Sequence, residues 1–187
     1  MKNCFSFFCF VSVCLVSTLN AEEPKTPVPA ELKALVEAFV NALKSQDDAA
    51  MAACWHSPEV LAKRREAEAL AESGTSPTEI NVAKEREKEL KKREKDMTRN
   101  KQRIDIIRGL IAKHFGDPAG LKLVKLEVDP EEDATEAEPA FDEVELHLTA
   151  ADGTGLRLDV DDAIRIDGVW KFKGRVENKL GIEFADP

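Results

Sequence analysis

The chain has 187 residues, with 27 Lys+Arg against 36 Asp+Glu and a formal net charge of −9. That length accommodates one domain with a real core, and an apolar fraction of 43% excludes wholesale disorder. Beyond the N-terminus no apolar run reaches the roughly 18 residues of a membrane-spanning helix, which excludes a polytopic membrane protein; the acidic balance argues against a coat for nucleic acid.

The first residues read as an export signal. Lys2 supplies a short positive region, Phe5 to Val16 is almost unbroken apolar sequence, and Ser17-Thr18-Leu19-Asn20-Ala21 turns small and polar. An apolar run of about a dozen residues is too short to cross a bilayer. The expectation is a signal over residues 1–21, cleaved after Ala21, with a periplasmic or secreted product that meets the membrane only through that segment. Lipid anchoring at Cys14 is the alternative, and Val11-Ser12-Val13 offers valine where a small residue is needed. Cleavage would remove Cys4, Cys9 and Cys14 and leave Cys54 alone, so no internal disulfide could form. Residues 22–29 form a Pro-rich linker, and 30–187 are expected to make a single α+β domain, with 58–115 as an extended charged helical region.

From Ala30 the pattern is helical. Leu32, Leu35, Val36, Phe39, Val40 and Leu43 recur at helical spacing and make one apolar stripe. Ser45-Gln46-Asp47 interrupts it, and Asp47 is placed to cap a second short helix through Ala49–Trp55. Ser57-Pro58 opens a third helix, which runs to about Glu72. Ser76-Pro77-Thr78-Glu79 is a capping box for a fourth. That helix can continue to His114-Phe115, where Gly116-Asp117-Pro118 ends it. At 1.5 Å per residue it would be on the order of 55 Å long, so it must project, bend or lie back on the preceding helix. Ala83, Leu90, Met97 and Ile104 recur every seven residues along it, a sparse coiled-coil-like seam.

After Gly120 the period changes to two. Leu121–Val128 reads as a strand whose alternation slips between Leu123 and Val124, the signature of a bulge. An acidic loop, Asp129–Pro139, follows. Val144, Leu146 and Leu148 alternate with polar residues, and Asp152-Gly153 turns the chain into Leu156, Leu158 and Val160. Ile164-Arg165-Ile166 extends that strand, and Asp167-Gly168 leads into Trp170-Lys171-Phe172. Short turns imply an antiparallel meander of about four curved strands. One polar face implies N-terminal helices packed on the other face only, an α+β fold with a long charged helical hairpin.

The helix ELKALVEAFVNALKSQD running into DAAMAACW, and the sheet ending in RIDGVWKFKGRV, resemble the nuclear transport factor 2-like superfamily over about residues 30–56 and 121–176. The resemblance implies a cone in which a bent sheet wraps helices around a pocket. It also implies a choice among isomerases, dehydratases and non-catalytic binding domains. The ketosteroid-isomerase type would use a tyrosine in its oxyanion hole, and this chain has none.

Candidate chemistry is sparse. Cys54 and His56 would point about 200° apart on a helix and so form no dyad there; Cys54 reads as a small buried residue. Trp55, His56 and Trp170 are the candidate ligand-pocket residues, with the two tryptophans as aromatic walls. Asp159, Asp161 and Asp162 lie near a strand end, where solvent-facing carboxylates are common. His56, His114 and His147 show no paired-ligand spacing, so no metal is expected; no cofactor is expected either. Residues 84–103 carry ten Lys/Arg against five Glu/Asp, while 127–145 hold ten acids and no base. Pairs such as Glu87–Lys91 and Glu89–Arg93 would lace the basic helix. The two tracts could pair within one molecule or between protomers. The reading is therefore an exported, non-catalytic interaction domain that uses the charged helix 77–114 for a protein partner or a second copy, with no nucleic-acid role. The alternative is a carrier of a small hydrophobic ligand, or an isomerase- or dehydratase-like enzyme, using the cone interior.

Overall fold

The computed structural model describes residues 27–72, 79–135 and 139–177; for Glu72, Glu79, Ile80, Asn81 and Glu177 it describes the backbone alone. The expected signal segment (1–21) and the capping box expected at Ser76 lie outside the described residues. Four helices precede a sheet: α1 (Ala30–Ser45), α2 (Asp48–Ala52), α3 (Pro58–Glu72) and α4 (Glu79–His114), then β1 (Lys122–Pro130), β2 (Ala140–Thr149), β3 (Gly155–Ile166), β4 (Val169–Phe172) and β5 (Val176–Glu177). The class is α+β. The sheet is an antiparallel meander in the order β1-β2-β3-β4, and β5 continues along the same edge of β3 beyond β4.

Local chemistry sets the element ends. α1 stops where Gln46 takes the left-handed conformation (φ 56°), and the Asp47 carboxylate then accepts from the Ala49 and Ala50 amides, both at 2.9 Å. The hairpin between β3 and β4 closes on Asp167 (φ 51°) and Gly168 (φ 79°), the two positive values that a tight twisted turn requires. On the edge strand β1 the register shifts between Leu123 and Lys125. This bulge falls where the alternation slips, and together with Pro130 it spoils the edge as a template for another strand.

The core joins α1, the C-terminal half of α4 and one face of the sheet. Leu32, Val36, Phe39 and Leu43 of α1 meet Val144, Leu146, Leu158, Val160 and Phe172, all fully buried, and Ile107 and Ile111 of α4 close the side. Phe39, Trp55 and Phe172 pack as a ring cluster with centroids 5.4–5.9 Å apart, and such contacts add about 0.5–1.5 kcal/mol per pair beyond burial. Across Asp142 and Asp162 the inward phase of the sheet changes. Even-numbered residues face the core from Val144 to Leu148, whereas Phe141 and Ala163 face it beyond, where Asp162 takes φ 51°. Ile164 is therefore not a continuation of the main stripe; it packs with Leu61 of α3 and Ala140.

Three boundaries differ from the sequence reading. α2 ends at Ala52, not Trp55, because Cys54, Trp55 and His56 extend alongside β4: the Phe172 amide donates to the Cys54 carbonyl (2.9 Å) and the His56 amide to the Phe172 carbonyl (3.0 Å). β1 reaches Pro130, beyond the expected loop start at Asp129. β2 begins earlier, at Ala140, because Phe141 is buried by stacking on Trp170 (5.4 Å, 30°). α4 runs the length expected and lies back along α3, as the Arg86–Glu66 pair (3.8 Å) shows. The expected ladder is present, with Glu87–Lys91 and Glu89–Arg93 both at 2.6 Å. Of the seven-residue repeat, Ile104 is buried, Leu90 and Met97 are half-buried and Ala83 is exposed, so it is no continuous seam.

Gly174 fixes the crossing between β4 and β5. A Cβ there would lie 2.6 Å from the Asp161 carbonyl oxygen, which is backbone and cannot step aside. Gly174→Ala is expected to destabilise the fold by about 2 kcal/mol, the usual scale of overpacking. A urea denaturation midpoint equal to that of the parent chain would contradict this.

Candidate functional site

Among the described residues, candidate functional side chains gather in a groove between α2 and α4 and on the charged surfaces of α4 and of the sheet. The groove holds about 360 Å³ and is lined by Met51, Ala52, Trp55, Met97, Thr98, Asn100 and Ile104, with Asp48 and Lys101 at its rim. The rim is tied by Asp48, which pairs with Lys101 (3.0 Å) and with Arg108 (2.5 Å). Those two cations, Arg108 first, hold the Asp48 carboxyl below its ordinary pKa.

The back wall is a polar clamp. The Gly174 carbonyl accepts from the Trp55 indole Nε1 (3.0 Å) and from the Asn100 amide Nδ2 (3.0 Å). Asn100 Oδ1 in turn accepts from the Val176 amide (3.3 Å), and Arg103 donates to the Val176 carbonyl (3.1 Å). One buried asparagine thus satisfies both sides of the β4–β5 connection, in place of the hydrogen bonds that a continuous strand would have made. Sequence reasoning passed over Asn100. A polar residue four positions before the apolar Ile104, on the same helix face, was the available signal.

The sequence-predicted pocket residues part company. Trp55 lines the groove through its ring while its nitrogen serves the clamp. Trp170 is buried against Phe141 on the sheet and does not line the groove. His56 is buried beside β3, where its Nε2 donates to the Ile164 carbonyl (3.3 Å). Cys54 turns its thiol to the Ala50 carbonyl (3.5 Å), and burial pushes that thiol's pKa up. The Cys54 thiol and His56 Nε2 therefore each turn to a backbone carbonyl and not to one another, so these two atoms form no nucleophile–base pair.

The charged surfaces are laid out by helix and strand geometry. Lys84, Lys88, Lys91, Lys92, Lys95 and Arg99 are all exposed, and at 100° per residue they fall within one face of α4, opposite the buried Asn100, Ile104 and Ile107. The stripe rises about 22 Å along the helix. The pairs these six make among the described residues stay within α4: Lys88–Glu85 (3.9 Å), Lys91–Glu87 (2.6 Å) and Arg99–Asp96 (3.9 Å).

On the sheet face turned away from the helices, cross-strand register places Glu127 opposite Glu145 and Asp129 opposite Glu143. These four carboxylates line a shallow concavity of about 280 Å³ with Val128. Side chains of the neighbouring row reach them: Lys125 holds Glu127 (2.6 Å), Arg157 holds Glu145, and the His147 imidazole lies between Glu127 (3.2 Å) and Glu145. Asp159, opposite Glu145 on β3, is fully buried beside Arg157 (3.4 Å).

No family model, no curated protein and no solved structure matches the chain.

His56 generates a pH dependence. Burial is the largest influence on it and lowers its pKa from the ordinary 6.5; Lys171 and Arg64 add to that, while the Ile164 carbonyl and Asp167 oppose it. A depressed folded value means that the unfolded chain takes up the proton first as pH falls. Stability from the neutral imidazole is thus present above about pH 6.5 and is lost as pH drops towards the folded value. Melting temperature should fall from pH 7 towards pH 5.5, and His56→Gln, which keeps a donor for Ile164, should flatten that slope. Parallel curves for the two proteins would contradict the assignment.

Proposed function

We propose that the chain is an exported, non-catalytic interaction domain that works through the cationic stripe of α4. The observation that carries this reading is the stripe itself: six exposed cations on one face of a helix whose opposite face is locked into the body. The arrangement of nucleophile and base candidates supports it, since Cys54 and His56 are committed to backbone carbonyls. Helices on one face of an antiparallel meander also support placing the chain with the nuclear transport factor 2-like domains. In that setting the space between α1 and the sheet is taken up by Phe39, Trp55, Phe172 and the aliphatics around them.

The experiment is retention on a sulfonated cation-exchange matrix at pH 7 in low salt. A uniformly acidic protein of net charge −9 would flow through. The polarised surface should be held, and elute as salt screens it. A variant with Lys84, Lys88, Lys91, Lys92, Lys95 and Arg99 all changed to Gln should lose retention while keeping its melting temperature. Flow-through of the parent chain would sink the reading.

A second reading has its own observation, the groove lined by Met51, Trp55, Met97 and Ile104, whose size suits a small hydrophobic ligand. A carrier should bind an aliphatic or aromatic probe there with a quench of Trp55 fluorescence, and Ala52→Trp should abolish the quench. Identical quenching in parent and variant would remove this reading.

A further inference from the structure

The basic stripe and the acidic concavity are complementary in charge, yet they cannot meet within one molecule. α4 turns Asn100, Ile104, Ile107 and Ile111 towards the core and the β4–β5 edge, so the stripe points outward. The concavity lies on β1 and β2, at the other end of the strand order and on the sheet face away from the helices. The ion pairs of the stripe stay inside α4 and leave Lys84, Lys92 and Lys95 with no carboxylate partner among the described residues.

The acidic side has a cost of its own. Like charges placed directly opposite across strands destabilise a sheet, and here two such pairs are adjacent, Glu127 with Glu145 and Asp129 with Glu143. Lys125 and Arg157 hold the first pair, and Arg157 also acts electrostatically on Glu143 of the second. Added cationic side chains in the concavity would relieve the repulsion. A lysine suits it, with a slender apolar stem and a compact charged head.

We propose that the α4 stripe of one copy docks on the carboxylate-lined concavity of β1 and β2 of a second copy. This rests on the interaction-domain reading and names its partner as the chain itself. The contact is heterologous, one surface on a different surface. Successive copies therefore close a ring or extend a chain according to the rotation between them, unless a reciprocal twofold pair satisfies both contacts at once. The contact is electrostatic and exposed at its rim, so it is strong at low salt and weak at a Debye length below about 8 Å.

Charge exchange tests it. The measurement is sedimentation velocity of the purified chain over a concentration series at about 20 and about 300 mM salt. Self-association should weaken at least about tenfold between the two. Two variants divide the interface: Lys88→Glu with Lys91→Glu and Lys95→Glu on the helix, and Asp129→Lys with Glu143→Lys on the sheet. Each alone should sediment as a monomer at low salt, because both of its surfaces then carry one sign. An equimolar mixture should recover a complex, the acidic helix of one variant on the basic concavity of the other. Unchanged melting temperatures establish that both variants fold. The proposal is overturned if the parent is monomeric at low salt, if either variant alone still associates, or if the mixture stays monomeric. Binding to vesicles of anionic phospholipid by a parent chain that does not self-associate also overturns it, giving the stripe a lipid partner and leaving the interaction-domain reading intact. Loss of retention on the sulfonated matrix as well would remove that reading too.

Discussion

The Gly174 carbonyl is the point on which the arrangement turns. It accepts from Trp55, just beyond α2, and from Asn100 on α4, at 3.0 Å each, so one backbone oxygen joins two helical regions to the edge of the sheet. The residue that carries it has no room for a side chain, because Asp161 backbone lies against it. Breaking either hydrogen bond would leave a buried donor without a partner, a penalty of about 1–3 kcal/mol. Removing Asn100 would in addition free the Val176 amide. A helix as charged as α4 would not choose this orientation by hydrophobicity alone. Buried hydrogen bonds are directional, and they set its rotation as well as its position.

That rotation decides what the surface looks like. With Asn100, Ile104 and Ile107 turned inward, the lysines spaced three, four and seven residues apart are forced onto one outward face. The sheet obeys the same logic with a period of two. Burying Val144, Leu146 and Leu148 forces Glu143, Glu145 and His147 to the opposite face, and antiparallel register sets Asp129 and Glu127 beside them. The polarity of the molecule is therefore a consequence of its core. The net charge of −9 conceals a cationic helix on an acidic body.

Much of this was legible in the residues. The α1 stripe, the Asp47 cap, the end of α4 at His114, the β1 bulge and the glutamate–lysine ladder all follow from short-range rules, and each is local. What escaped was non-local. Cys54-Trp55-His56 carries helical composition, but pairing with Phe172 offers its backbone a better set of partners than another helical turn. The phase change at Asp162 depends on a positive φ, which an aspartate only permits. Of the three candidate pocket residues, Trp55 reaches the groove, while Trp170 and His56 are buried elsewhere by stacking and by a carbonyl. Asn100 showed only as one polar residue in a charged helix. Its role exists because the chain returns, more than seventy residues later, to pass its own backbone across the amide.

The proposed contact joins the cationic helix face of one copy to the acidic sheet face of another. Amide chemical shifts of the isotopically labelled chain, followed against its own concentration at low salt, test this residue by residue. Such a contact predicts shifts that grow together at residues 84–99 of α4 and at 127–129 and 143–145 of the sheet, and that collapse when salt is added. Shifts confined to the groove around Met51, Trp55 and Met97, or no dependence on concentration at all, would contradict it.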